Sequence, residues 1–268
     1  MKLTKNSTLN VLIEDLSPEG HGVAKKDGYI IFVPGALIGE QWQVKLIKVT
    51  KNYAVARMEK RNGKPSDQRI QPPCPLAASC GGCQIQHMAY ESQLELKEKM
   101  VKDCFTRIGG MPDAQILPIA GMEDPWRYRN KGLFPFAMDH TGPCTGLYAS
   151  HSHRVVAAKD CLIQDEGAIA VMQQTLLWAR ENNITVYDEE RHSGVLRHVM
   201  GRTTTLGEVM AVVVTRTNEL HHASALVERL KMHVPGLVSV YHNVNSQRTN
   251  VALGPVNRLI WGKATVEE

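Results

Sequence analysis

The sequence predicts a mixed α and β fold, with a small N-terminal β-barrel followed by a larger α+β or α/β domain. Residues 9–60 contain closely spaced apolar or alternating stretches with turns between them and no helical period. Beyond residue 90, helical and strand-like stretches alternate, which is typical of a layered domain. The 268 residues are enough for two hydrophobic cores.

Four N-terminal stretches are predicted to be the strands of the barrel: LNVLIED, YIIFVPG, WQVKLIKVT and YAVARMEK. The alternation is clearest where Trp42, Val44 and Leu46 share one face. Short strands without a helical period favour a small barrel. The breaker-rich stretch RNGKPSDQRIQPP follows and predicts a linker, which divides the chain into domains 1–65 and 66–268.

The second domain is predicted to contain three helices and several strands. The first helix has a capping box at Ser92 and Glu95 and ends at two glycines, 109 and 110. Its buried face is predicted to consist of Leu94, Val101, Cys104, Phe105 and Ile108. Residues 165–181 and the stretch HASALVERLKM predict the other helices. Strands are expected within 126–160 and in LVSVYHNV, and VLRHVMGR should form a hairpin with EVMAVVVTR.

The charge distribution favours a polyanionic partner. The net charge is +4, and residues 1–65 hold 11 Lys and Arg against 6 Asp and Glu, a local balance of +5. A diffuse phosphate-binding face is predicted at Lys25, Lys26, Lys45, Lys48 and Lys51; a solvated basic face is the alternative. No apolar run reaches the roughly 18 to 20 residues that cross a bilayer, so a cytoplasmic protein without a membrane segment is expected. We also expect a monomer.

The cysteines predict a metal centre. Three of the six lie close together in CPLAASCGGC, as Cys74, Cys80 and Cys83, and Cys161 precedes a predicted helix. Spacing alone is compatible with an iron-sulfur cluster, with tetrahedral zinc or with no metal. Cys104 is interpreted as a small buried hydrophobic residue, and Cys144 lies in a turn.

Several segments resemble, in order, the iron-sulfur RNA (uracil-5-)-methyltransferases, which make 5-methyluridine in ribosomal RNA. EDLSPEGHGVAKKDGYIIFVPGALIGEQ resembles the TRAM domain, an OB-like RNA-binding barrel, and CPLAASCGGCQIQHMAYESQLELKEKMV resembles the cluster loop and its helix. WRYRNKGLFPF, HSHRVVAAKDCLIQ, SGVLRHVMGR and HNVNSQRTNVALG are similar to the central domain. The resemblance implies a four-iron, four-sulfur cluster held by Cys74, Cys80, Cys83 and Cys161, and ribosomal RNA as the partner.

The resemblance also implies that the catalytic residues belong to a separate domain. Members of that family continue into a C-terminal domain that binds S-adenosylmethionine and carries the catalytic residues, and no matching Gly-rich turn is seen here. We therefore predict a truncated or split, non-catalytic RNA-recognition portion of such an enzyme, without catalytic or S-adenosylmethionine-binding residues. A zinc-stapled RNA-binding adaptor and an independent iron-sulfur redox protein stay open as alternatives.

The stretch WRYRNK is predicted to contact RNA. Arg127, Arg129 and Lys131 alternate along an expected strand and would project from one face. Trp126 and Tyr128 could add stacking on bases. The alternative is that these cations form a solvated face or pair with acids.

Overall fold

The computed structural model describes residues 3–268. The chain forms two compact units, which differ from the predicted division at residue 65. Unit 1 consists of Met1–Ala77 and Cys83–Met122, and unit 2 consists of Ala78–Gly82 and Glu123–Glu268.

Unit 1 is built around a six-stranded sheet with the strand order β1-β5-β6-β4-β3-β2. The strands are β1 (Thr8–Leu12), β2 (Asp15–Leu16), β3 (His21–Lys26), β4 (Tyr29–Pro34), β5 (Gln41–Val49) and β6 (Tyr53–Asn62). The four predicted strand stretches are confirmed, and the alternation in β5 buries Val44 and Leu46 completely while Trp42 is half-buried. Closure of this sheet into a barrel stays a prediction.

The segment that follows the sheet is anchored to it, although the sequence suggested a linker. Glu40, which is fully buried, accepts hydrogen bonds from the Arg69 guanidinium at 2.5 and 2.7 Å and from the amide of Ser66 at 3.3 Å. Burial alone would raise the pKa of Glu40, but these bonds, with those from the Leu37 amide and the Trp42 indole, lower it to about 2. An ionised pair therefore fastens residues 66–69 to the sheet.

The first helix, α1 (Tyr90–Asp103), continues into a π-helical turn at Cys104–Ile108. The prediction of its buried face is wrong, because Val101, Cys104, Phe105 and Ile108 are exposed. Leu96 is the residue that packs inward, in a cluster that also contains Leu16, Leu37 and Met88. The helix begins after Ala89 without a side-chain cap, so the predicted capping box is also wrong. A non-local contact with the sheet decides which face is buried.

Unit 2 contains a seven-stranded mixed sheet with the order β13-β12-β11-β10-β7-β8-β9. Its strands are β7 (Lys131–Asp139), β8 (Gly142–Tyr148), β9 (Val155–Ala157), β10 (Leu196–Thr203), β11 (Val209–Thr215), β12 (Leu237–Val244) and β13 (Val256–Gly262). The predicted hairpin is confirmed as the antiparallel pair β10–β11, and β11 pairs in parallel with β12. The β11–β12 connection carries helix α3, so this edge has the layered arrangement that the sequence predicted.

Two helices complete unit 2: α2 (Glu166–Glu181) and α3 (Ala223–His233). Both are confirmed within two residues of their predicted ends, and Asp165 caps α2 by accepting a bond from the Gly167 amide at 2.8 Å. Helix α2 lies close against β10, where a Cβ on Gly201 would come within 2.6 Å of the α2 backbone. No helix within residues 3–268 is long and apolar enough to cross a membrane.

Candidate functional site

The cysteine-rich segment holds thiols in both units. Cys74 and Cys83 belong to unit 1, where Gln86 connects them: its side-chain oxygen accepts from the Cys74 amide at 3.1 Å and its nitrogen donates to the Cys83 sulfur at 3.7 Å. Both cysteines are partly buried. Gln86 therefore orients the two cysteines of unit 1.

Cys80 belongs to unit 2, in the five-residue stretch Ala78–Gly82. The Gly82 amide donates to the Cys80 sulfur at 3.3 Å, and the Gly81 amide donates to the Tyr148 carbonyl oxygen at 2.9 Å. A Cβ on Gly81 would lie 2.8 Å from the backbone nitrogen of Ser150, so glycine is needed for this close approach. Amide donors to sulfur of this kind stabilise thiolates and tune iron-sulfur centres.

Cys161 is buried, and Arg127 fixes the backbone around it. The Arg127 guanidinium binds both carboxylate oxygens of Asp160, at 2.7 and 2.9 Å, and donates to the carbonyl oxygens of Cys161 at 2.8 Å and Gln164 at 3.2 Å. The hydrogen bond from Arg127 also lowers the pKa of Asp160. This bidentate contact holds the Cys161 loop in one conformation.

The donor set suits a soft metal centre, since it consists of four thiols, two of them with N–H donors at sulfur. The residues that the structure describes, 3–268, contain no group of three or more His, Cys, Asp or Glu side chains arranged to hold a metal ion. The chemistry of the donors therefore fits the predicted cluster, whereas a grouped site is not shown. The four-cysteine site stays a prediction.

The predicted RNA-contact residues are divided by the structure. The expected strand over 126–131 is wrong: Arg127 has a left-handed φ of 54°, and β7 begins only at Lys131. The Arg127 side chain is committed to the Cys161 loop, whereas Arg129 and Lys131 are exposed. Sequence reasoning missed Arg202, which lies directly across from Lys131 in the β7–β10 pair and is also exposed.

Lys131 and Arg202 form a small cationic surface in unit 2, and the exposed Arg129 lies two residues before Lys131. None of the three makes an ion pair or a side-chain hydrogen bond with residues 3–268. Like charges directly opposite in a sheet repel each other, so an anion between Lys131 and Arg202 would be favourable. In unit 1, four of the five predicted phosphate-binding lysines, Lys25, Lys26, Lys48 and Lys51, are exposed, and Lys45 is partly buried.

The two remaining cysteines differ in environment. Cys104 is exposed in the π-helical turn, which contradicts its interpretation as a buried hydrophobic residue. Cys144 is buried in β8, and burial, with the nearby Asp139, raises the pKa of its thiol. A thiol with a raised pKa is a poor nucleophile, because little thiolate is present at neutral pH.

Comparison with known proteins identifies relatives along almost the whole chain. Residues 2–58 match the TRAM domain family. An RNA methyltransferase of Halalkalibacterium halodurans, named as uncharacterized, is 43% identical over 97% of this chain and 57% of its own length. One from Clostridium tetani is 42% identical over 97% of this chain and 56% of its own. The chain thus spans somewhat more than half the length of these relatives.

A solved structure shares the fold. The crystal structure of Pyrococcus abyssi tRNA (uracil-54, C5)-methyltransferase in complex with S-adenosyl-L-homocysteine matches with a TM-score of 0.70. The match covers 95% of this chain and 55% of that chain, with 24% sequence identity. This similarity shows that the folds correspond.

The comparisons correct the functional prediction. The predicted TRAM domain and the similarity to RNA methyltransferases are confirmed. The prediction of a non-catalytic and inactive RNA-recognition portion is contradicted: RNA methyltransferases match 97% of this chain, and its fold corresponds to part of a methyltransferase solved with S-adenosyl-L-homocysteine. The same matches overturn the zinc-stapled adaptor and the independent redox protein as functions.

Proposed function

We propose that this chain functions in the S-adenosylmethionine-dependent methylation of RNA, at carbon 5 of a uridine. The observation that carries the proposal is the 43% identity to the Halalkalibacterium halodurans RNA methyltransferase over 97% of this chain. The fold similarity to a tRNA uracil methyltransferase supports uridine as the target. S-adenosylmethionine would supply the methyl group.

Carbon 5 of uracil is a weak nucleophile, so the reaction needs a thiolate to add at carbon 6. The target base must leave the RNA stack for this addition, and a base must then remove the proton from carbon 5. Cys144 is unsuited to be the thiolate, because it is buried and its pKa is raised. In this reaction the exposed cations of the chain would bind and order the RNA.

Two cationic surfaces support the RNA-binding part of the proposal. The four exposed lysines of unit 1 that were predicted to bind phosphate all lie within the TRAM-matched residues 2–58. In unit 2, Arg129, Lys131 and Arg202 are exposed and have no acidic partner among residues 3–268. Cations of this kind would bind phosphates and add affinity that depends on salt but not on sequence.

The four-iron, four-sulfur cluster is proposed as a resident group held by Cys74, Cys80, Cys83 and Cys161. Its support is the thiol donor set, the N–H donors to the sulfurs of Cys80 and Cys83, and the Arg127 clamp beside Cys161. We propose a structural role, in which the cluster fixes the loop around Cys161.

A genetic experiment tests the activity. Deleting the gene that encodes this sequence should remove 5-methyluridine from at least one position in cellular RNA, measured by mass spectrometry of nuclease digests. Restoring the gene should restore the modification. Unchanged 5-methyluridine at every position in the deletion strain would exclude the proposed activity.

Anaerobic purification tests the cluster separately. The protein should be brown and contain about four iron and four sulfide ions per chain. Cys161→Ser should lose iron, whereas the matched control Cys104→Ser should retain it, because Cys104 is exposed and outside the proposed set. A colourless protein with one zinc ion, or equal iron in both variants, would overturn the assignment.

A further inference from the structure

A cavity of about 450 Å³ lies within unit 2. Its walls come from β7, from the residues at and after the end of β8, from residues 186–189, from β10 and from residues 249–252. Three aromatic side chains contribute to the lining, namely Phe136, Tyr148 and Tyr187. A volume of this size suits a small molecule or a single nucleotide unit rather than a protein segment.

One buried imidazole in the cavity wall has an unused nitrogen. His198 is 9% exposed; its Nε2 lies 3.2 Å from the Tyr148 hydroxyl, and its buried Nδ1 has no hydrogen-bond partner among residues 3–268. Burial and the neighbouring Arg197 lower the pKa of His198 to about 4, so the ring is neutral at pH 7. A buried polar atom without a partner is costly, and a ligand that bonds it would remove that cost.

Arg197 presents a second unused group next to it. Its guanidinium lies 4.3 Å from the Tyr187 ring centroid and donates to the carbonyl oxygens of Asn245, Gln247 and Thr249. Its Nε is buried without a partner within the described chain. Because three carbonyls already hold this cation, Arg197 is poorly placed to bind a phosphate.

Charged residues in and next to the lining favour an uncharged ring inside the cavity and phosphates outside it. Asp188 and Glu189 line the cavity, so a free anion inside it is disfavoured. Two exposed arginines adjoin the lining segments in the chain, Arg154 and Arg248, whereas the exposed Arg191 is paired with Asp188 at 3.7 Å. This arrangement suits a polyanionic strand whose phosphates stay outside while an uncharged ring enters.

We propose that this cavity binds one unstacked nucleobase of the RNA, with its ring against the aromatic wall and its edge facing the His198 ring. The inference rests on the proposed function, since it takes RNA to be the substrate. A heteroaromatic base carries both donors and acceptors on its edge and has a face that stacks on tyrosine. The bound base would anchor the strand away from its phosphate contacts.

Two variants test the cavity by different means. Ala252→Trp fills it and leaves its polar groups in place, whereas His198→Phe removes the ring nitrogens and keeps a ring. Ala120→Trp and His221→Phe are the matched controls, because both residues are exposed and neither lines the cavity. Affinity for a fluorescein-labelled single-stranded RNA, measured by anisotropy, should fall about tenfold in both cavity variants, the loss expected for one stacked base.

A photocrosslink gives a positional readout that does not depend on the variants. The same RNA containing 4-thiouridine should crosslink to wild-type protein at Tyr148 or Tyr187, located by mass spectrometry. Crosslinks only outside the lining, or cavity variants that fold and bind RNA like the controls, would overturn the inference while leaving the proposed function standing. Absence of RNA binding by wild-type protein would overturn both.

A separate binding measurement tests whether the cavity takes an adenine ring from a small molecule instead of a base of the RNA. S-adenosyl-L-homocysteine also carries an adenine ring, and its binding can be followed by calorimetry. We expect its affinity to be equal in wild type and in Ala252→Trp. If that variant loses S-adenosyl-L-homocysteine but retains RNA, the assignment to an RNA base is wrong.

Discussion

Replacing Glu40 by glutamine should destabilise unit 1 by about 3 kcal/mol. The Glu40 carboxylate is fully buried and accepts hydrogen bonds from Arg69 at 2.5 and 2.7 Å, from the Leu37 amide at 3.0 Å and from the Trp42 indole at 2.9 Å. Glutamine keeps the shape but loses the charge, and its amide presents a donor where donors already converge. The guanidinium of Arg69 is then left half-buried without its counter-ion.

The pKa of Glu40 gives an independent magnitude. It is lowered from 4.5 to about 2, and each pKa unit corresponds to about 1.4 kcal/mol, so ionisation contributes on the order of 3 kcal/mol. Because the folded-state pKa is the lower one, this stability is present above about pH 4.5 and is lost as the pH falls towards 2. The wild type should therefore lose its advantage over Glu40→Gln in acid.

Urea denaturation at neutral and acid pH measures the difference, and hydrogen exchange of peptides from β4 to β6 assigns it to unit 1. Glu59→Gln is the control: Glu59 lies 3.9 Å from Arg57 in an exposed pair, so its loss should change stability by no more than about 0.5 kcal/mol. If Glu40→Gln unfolds within that margin of the wild type, or if the difference is equal at pH 7 and pH 3, the account of this ion pair is wrong.

Three further outcomes are expected. Replacing Arg129 and Lys131 together by alanine should weaken RNA binding and flatten its salt dependence by about 0.7 in log–log slope per lost phosphate contact, measured by anisotropy titrations; an unchanged slope would contradict a phosphate role. Gly201→Ala should lower the free energy of unfolding by about 1–3 kcal/mol, because the added Cβ would lie 2.6 Å from the α2 backbone; a thermal midpoint equal to that of the wild type would contradict this packing. Iodoacetamide at neutral pH should label Cys104 and spare Cys144, whose burial raises its thiol pKa, and equal labelling by mass spectrometry would refute the burial.

Elements with local signals were predictable from the sequence. Helix α2 was expected over 165–181 and spans Glu166–Glu181, because Asp165 provides its cap within the segment itself. The β10–β11 hairpin likewise carries its own turn, with Gly207 at a φ of 79°. In both cases the residues that determine the element lie inside it.

Features that depend on distant residues were not predictable from the pattern. In α1, several apolar positions compete for burial, and contact with Leu16 and Leu37 selects Leu96. Arg127 has the spacing of a strand residue, but its bidentate bond to Asp160, 33 positions along the chain, accompanies a left-handed backbone. The cavity around His198 joins segments more than 100 residues apart in sequence, so no short motif reports it.

Residues Ala78–Gly82 belong to unit 2, although the residues on both sides of them belong to unit 1. This arrangement limits where related genes can be recombined. Strands β1–β6 and the Arg69 anchor form one continuous stretch, so a single exchange after residue 69 could transfer the sheet together with its ion pair between genes. The rest of unit 1, Cys83–Met122, is bracketed on both sides by residues of unit 2. An exchange within residues 74–83 would separate the clustered cysteines. Functional recombinants should therefore take residues 74–83 from a single parent gene.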